Sequence, residues 1–235
     1  MDTVLKVMSL LPWPDWVAVA VFYGGWAGYA WFAKRRAQTE PSILATTNRI
    51  RSQWMLQTTY REVRVIDGVV IQNLSSSPSF FASTTILIIG GLLAVLGTTE
   101  KASELVREIP FAARTSVLVF DLKIVLMLAV FVYAFFRFTW SMRQYTFGAL
   151  LVASAPEAKQ FIEKGLSRED FASKAGRVVG LAAETFNDGL RAYYVAFAAI
   201  GWFFSPWVYM IGTASVIYIL YQREFHSDML EVLNS

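Results

Sequence analysis

The stretch from Thr115 to Phe138, TSVLVFDLKIVLMLAVFVYAFFRF, constrains this chain more than any other. From Val117 to Phe136 it has the length an α-helix needs to cross a hydrocarbon core of about 30 Å at about 1.5 Å per residue. Near one end it carries Asp121 and Lys123. An ionisable group in hydrocarbon costs at least about 2.5 kcal/mol unless it pairs or reaches water. The segment is therefore a span with a polar site, or a span whose end lies one turn later.

Composition agrees with a membrane class. Hydrophobic residues make up 55% of the 235, mean hydropathy is +0.44, and the apolar residues gather in blocks. Eighteen Phe, ten Tyr and eight Trp suit spans with aromatic belts at the interfaces. The net charge of +3 comes from basic residues clustered beside hydrophobic blocks, which is the positive-inside pattern and not a nucleic-acid surface. With no cysteine, disulfides, thiolate metal sites and cysteine nucleophiles are excluded. The single histidine, His226, lies in a polar tail, so neither a histidine metal centre nor a histidine base is expected. No cofactor is implied.

Five spans are expected, about 16–33, 80–97, 117–136, 184–204 and 206–221, in an all-α bundle; four spans with one long kinked helix is the alternative. The short apolar stretch Met1 to Pro14 precedes the first span, and Trp13 and Trp16 bracket Pro14 as interfacial anchors. Lys34, Arg35 and Arg36 follow that span, which places the N-terminus outside. The segments 34–79, 137–191 and 222–235 hold seven, eight and one Lys or Arg, against three in the loop 98–114 and Lys6 before the first span. This asymmetry puts the segments 34–79, 137–191 and 222–235, the C-terminus with them, in the cytoplasm of a multi-pass inner (plasma) membrane protein. Gly24 and Gly28 have a small-xxx-small spacing that permits close helix approach.

The cytoplasmic segments 38–79 and 140–183 read as helical. The apolar positions of Ser42 to Asp67 recur at helical spacing, with Arg49, Arg51, Arg61 and Arg64 as a solvated face beside anionic lipid. Phe147 to Ala155 is too short to span and packs at the interface. A polar helix starts near Ser167, whose spacing to Asp170 is that of a capping box.

Several polar residues sit on apolar runs. Gln72 and Asn73 precede SSSPS, where Pro78 is placed as a first-turn proline with Ser77 as the cap, so QNLSSSPS reads as a helix break. Such a break is tolerated in a membrane where protein or a water-filled cavity surrounds it. Thr84, with Ser83 and Thr85, can hydrogen-bond back to its helix or across to a partner. Asp121 and Lys123 point to different sides of their helix: Lys123 snorkels outward with Asp121 at the headgroups, or the two line a pore or pair with a partner. Glu184, Asp188 and Arg191 share one face at i, i+4, i+7, with Asn187 beside them. That stripe lines a vestibule or locks helices together. Ser205 and Pro206 mark a turn between the last two spans.

Three passages, IQNLSSSPSFFASTTILIIGGL (Ile71 to Leu92), FNDGLRAYYVAFAAIGWFFSPW (Phe186 to Trp207) and YQREFHSDML (Tyr221 to Leu230), resemble a family of bacterial and plant membrane proteins catalogued as a domain of unknown function, number five hundred and ninety-nine. The resemblance covers about Trp16 to Leu230. It implies a multispan membrane architecture and brings no activity and no catalytic residues.

The functional expectation is a homo-oligomeric ion channel or passive pore for small ions in the lipid bilayer, with Asp121 and Gln72 or Asn73 lining it, because five spans are few to enclose a pore alone. The alternative is a scaffold that binds a partner through Ser42 to Asp67 and Ser167 to Glu184. No metal-ligand cluster, P-loop, nucleophile elbow or dinucleotide fingerprint supports an enzyme.

Overall fold

The computed structural model describes residues 11–110, 112 and 115–234; the expectations for Met1 to Leu10, Lys6 included, and for Arg114 lie outside them. Among the described residues the regular structure is helical throughout. The elements are α1 (Trp13–Arg36), α2 (Ile43–Thr58), α3 (Val65–Gly97), α4 (Thr99–Glu108), α5 (Val117–Ala153), α6 (Ala158–Glu163), α7 (Arg168–Ile200), a 3-10 turn (Gly201–Phe203), α8 (Pro206–Phe225) and α9 (Asp228–Asn234). Two of these, α3 and α5, are long and apolar enough to cross a membrane. Of the five expected spans these two suffice by length and composition alone; glycines and polar-edged aromatics dilute α1, and charges interrupt α7.

The expected break in the second span is corrected. QNLSSSPS is not a break: α3 runs through Pro78. Ile71, Pro78, Ala82 and Thr85 are all buried and fall on one face, so a continuous helix keeps that face against the core. Proline removes the bond to the carbonyl four residues back, and hydroxyls can re-satisfy the loosened turn. Ser76 Oγ donates to Asn73 O at 2.6 Å, one residue before the Leu74 carbonyl that Pro78 leaves without its helical donor. Helix α5 runs on from the expected span 117–136 through Trp140 and Phe147 to Ala153. No proline interrupts α5, and Tyr145, Gly148 and Val152 stay buried along one face.

The helices build two compact units. Unit 1 takes Met1–Arg35, Thr85–Ala134 and Leu190–Gln222; unit 2 takes Arg36–Thr84, Phe135–Gly189 and Arg223–Ser235. In unit 1, Phe22 of α1 meets Tyr209 of α8 at 4.9 Å between ring centroids, and Tyr209 stacks on Trp202 at 5.1 Å. The close approach of α1 is made at Gly25, where a Cβ would stand 2.8 Å from Ile217, while Gly24 and Gly28 face open space.

In unit 2, Met55, Ile71, Tyr145, Val179 and Ala182 form the core. Helix α7 runs so near α2 that a Cβ on Gly176 or Gly180 would stand 2.8 Å from Ser52 or 2.9 Å from Asn48. Ser42 caps α2, its Oγ accepting from Ala45 N at 3.1 Å, and Glu224 Oε1 accepts a second free donor, Leu44 N, at 3.0 Å. The expected cap of α7 is present, with Asp170 N donating to Ser167 Oγ at 3.0 Å. The single helix expected from Ser42 to Asp67 ends at Thr58, and two guanidiniums hold the turn that follows. Arg64 donates to Thr58 O, Ala155 O and Pro156 O at 3.0, 2.7 and 2.5 Å, tying the ends of α2 and α5. Arg168 donates to Thr59 O and to Ala158 O, and lies 4.3 Å from the Tyr60 ring centroid. The expected solvated arginine face is therefore in part an internal clamp. Arg61 pairs with Asp67, which is buried and also accepts from Trp54 Nε1 at 2.7 Å.

Candidate functional site

Polar groups on the long helices fall into three sets, and only one of them faces out. The first is the α7 stripe within unit 2. Asp188 is buried and ion-paired with Arg137 of α5. Glu184 Oε1 accepts from Asn48 Nδ2 and from Arg177 Nη1, both at 3.0 Å. Arg51 Nη1 donates to Thr47 Oγ1 at 3.0 Å and Asn48 Oδ1 at 2.9 Å. Burial holds the Arg51 guanidinium below the usual arginine range, partly offset by Tyr145 and Glu184. Asn187 is half-buried beside this network. Of the two expectations for the stripe, this arrangement matches a lock between helices.

The second set lies inside unit 1. Lys123 does not snorkel: it is 1% exposed, and its Nζ donates to Trp202 O at 2.7 Å, between the Trp202 and Phe203 rings at 5.3 and 5.7 Å. Trp202 Nε1 donates in turn to buried Asp15 Oδ1 at 2.6 Å. The space beside Lys123, lined by Phe22, Tyr23, Met127 and Val130, is too tight for a water molecule. Arg191 is buried with its guanidinium 5.7 Å from the Tyr29 ring centroid, and the Thr85 and Tyr193 hydroxyls share a bond of 2.6 Å. Asp121 stands apart from Lys123, half-buried at the start of α5, and accepts from Thr99 Oγ1 at 2.7 Å.

Sequence reasoning missed Asp15, Arg137, Asp67 and Trp54. Asp15 and Trp202 are 187 residues apart, and no local spacing connects them. For Arg137 a signal existed: an arginine inside an unbroken apolar helix requires an acid, and Asp188 lies in the next apolar block.

The third set is on α3. Gln72, Asn73, Ser76, Ser77 and Ser83 are exposed, and Thr84 is half-buried with its hydroxyl turned back to Phe80 O at 2.9 Å. The side chains of Gln72 and Asn73 make no hydrogen bond to the described residues. The structure thus separates the candidates: Asp121, Lys123, Glu184, Asp188 and Arg191 are committed to partners within the chain, whereas Gln72, Asn73 and Ser77 point away from it. Among the described residues no three of His, Asp or Glu come together as a metal site would require.

No curated protein and no solved structure matches the chain. A family model matches residues 17–229, nearly the whole length. The chain belongs to that family, described as protein of unknown function, DUF599.

Proposed function

We propose that this chain is a five-span protein of the inner (plasma) membrane, N-terminus outside and C-terminus cytoplasmic, that works as a homo-oligomer passing small ions passively. One observation carries the reading: Gln72, Asn73, Ser76 and Ser83 are exposed on α3, which its own chain covers less than it covers α5. In its most apolar window 11% of α3 is buried, against 39% for α5. Bilayer lipid does not solvate hydroxyls, so the exposed Ser83 within the span meets water or another polypeptide, and Gln72, Asn73 and Ser76 continue that face on the cytoplasmic side. The internal charges add support. Lys123, Asp188 and Arg191 are absorbed in packed networks, which leaves the exposed α3 face to border a path between copies.

Asn73 is the strongest pore-lining candidate, with Gln72 and Ser77 beside it; Asp121, held by Thr99, is not one. The test is ion flux through purified protein in liposomes. Asn73→Leu is expected to reduce flux and Asp121→Asn to leave it unchanged. A bilayer that stays silent across voltage, pH and ion composition overturns the reading.

A scaffold role has one observation in its favour. Val63, Val65 and Ile66 of unit 2, and separately Ile162, are each at least 70% exposed, apolar side chains that a cytoplasmic partner would cover. Co-purification of a stoichiometric partner other than the chain itself, lost on Val63→Asp, would favour it over conduction.

A further inference from the structure

The exposed face of α3 has a pattern that its polar content alone does not explain. From Ile66 to Gly97 exposed positions recur in alternating steps of three and four. That is the 3.5-residue period of a helix seam, sustained over most of a helix whose 33 residues span about 50 Å. One series seven apart, Ser76, Ser83, Gly90 and Gly97, is small throughout; the interleaved series carries Asn73, Phe80 and Leu87. The buried residues Asp67, Ile71, Pro78, Ala82 and Thr85 lie on the opposite face, so the seam is not used within the chain.

The glycines add an independent argument. Where α5 and α7 carry glycine, the fold needs it: a Cβ on Gly148 or Gly189 would stand 2.9 Å from Val179 or 2.5 Å from the Phe138 ring. On Gly90 and Gly97, as on Gly91 beside them, a Cβ would meet nothing within 4 Å. A glycine inside a helix costs about 0.5–1 kcal/mol relative to alanine, and nothing within this chain offsets that cost. Close approach by an outside helix does.

We infer that this face is a self-association seam, turned toward α3 of further copies of the same chain around a shared axis. Three features identify the occupant as a copy. Every copy inserts with the same orientation, so copies of α3 are parallel and equal in length, as a seam of constant period requires. From Gly68 to Thr99 there is no Asp, Glu, Lys or Arg, so identical residues face one another without repulsion. The ten seam positions recur along the whole of α3 from Ile66 to Gly97, so the contact they offer a parallel copy is continuous.

The inference deepens the conduction reading by naming the partner.

The absence of native cysteine permits a direct test. Single cysteines are placed in the full chain at Ser76, Ser83 and Gly90 on the seam, and at Ile86, Gly91 and Leu93 on its flanks. All six positions are exposed. Cells expressing each variant are lysed, the membranes are oxidised with copper phenanthroline, and covalent dimer is read on a non-reducing gel after maleimide labelling has shown the thiols to be reactive. Several-fold more dimer at the seam than on the flanks is the expected result. Equal or greater cross-linking on the flanks, no dimer from reactive seam thiols, or an adduct whose mass is not twice that of the chain overturns the inference. Seam dimers with silent liposomes remove conduction and leave the seam; flux with flank-only dimers does the reverse.

Discussion

Helices α3 and α7 are each 33 residues long, and each places polar side chains in an apolar setting, yet they treat them in opposite ways. On α7, Glu184 and Asp188 reach partners on α2 and α5, and Arg191 is buried against Tyr29. On α3, Gln72, Asn73 and Ser77 face away from the chain. The glycines divide likewise, crowded on α7 and open on α3. A polar group on an apolar helix therefore indicates function only after the fold has had the chance to use it. On α7 it was used; on α3 it was left for something outside.

The sharpest attempt to break this contrast is Asp188→Ala. Removing one partner of a largely buried ion pair costs about 3–5 kcal/mol, with the lower end apt here because the Arg137 side chain is 29% exposed. Denaturant unfolding of the detergent-solubilised protein should show the loss; an unchanged midpoint would falsify the lock. Gly189→Ala comes next, at about 1–3 kcal/mol, since its methyl would meet the Phe138 ring. The same measurement on Gly90→Ala should instead show a gain of about 0.5–1 kcal/mol in the dispersed chain, because the methyl meets nothing there. A loss at Gly90 comparable to that at Gly189 would end the distinction between the two helices. Smallest in stability is Asn73→Leu, expected within about 0.5 kcal/mol of the parent although it reduces ion flux.

Much of the local structure was legible in the chain. Ser167 starts α7 because a hydroxyl before an apolar-periodic run takes up a free backbone donor. Ser205 and Pro206 separate α7 from α8 because proline opens a helix and does not continue one. Pro78 misled because the same rule was applied inside a membrane-type helix, where the buried series through Ile71 and Ala82 outweighs one missing bond. Lys123 misled for a different reason. Snorkelling is the default for a lysine near a span end, and only the carbonyl and rings of the Trp202 turn, 79 residues away, make the inward position favourable.

The distribution of apolar residues by itself determined that this chain is helical and carries segments able to cross a bilayer, since both follow from the length and composition of contiguous stretches. Which polar residues are spent inside and which are left facing out was decided only by tertiary structure. Asp188 finds Arg137 across 51 residues and Trp202 finds Asp15 across 187, and the energy of a buried charge depends on what stands within a few ångströms of it, which no spacing along the chain encodes.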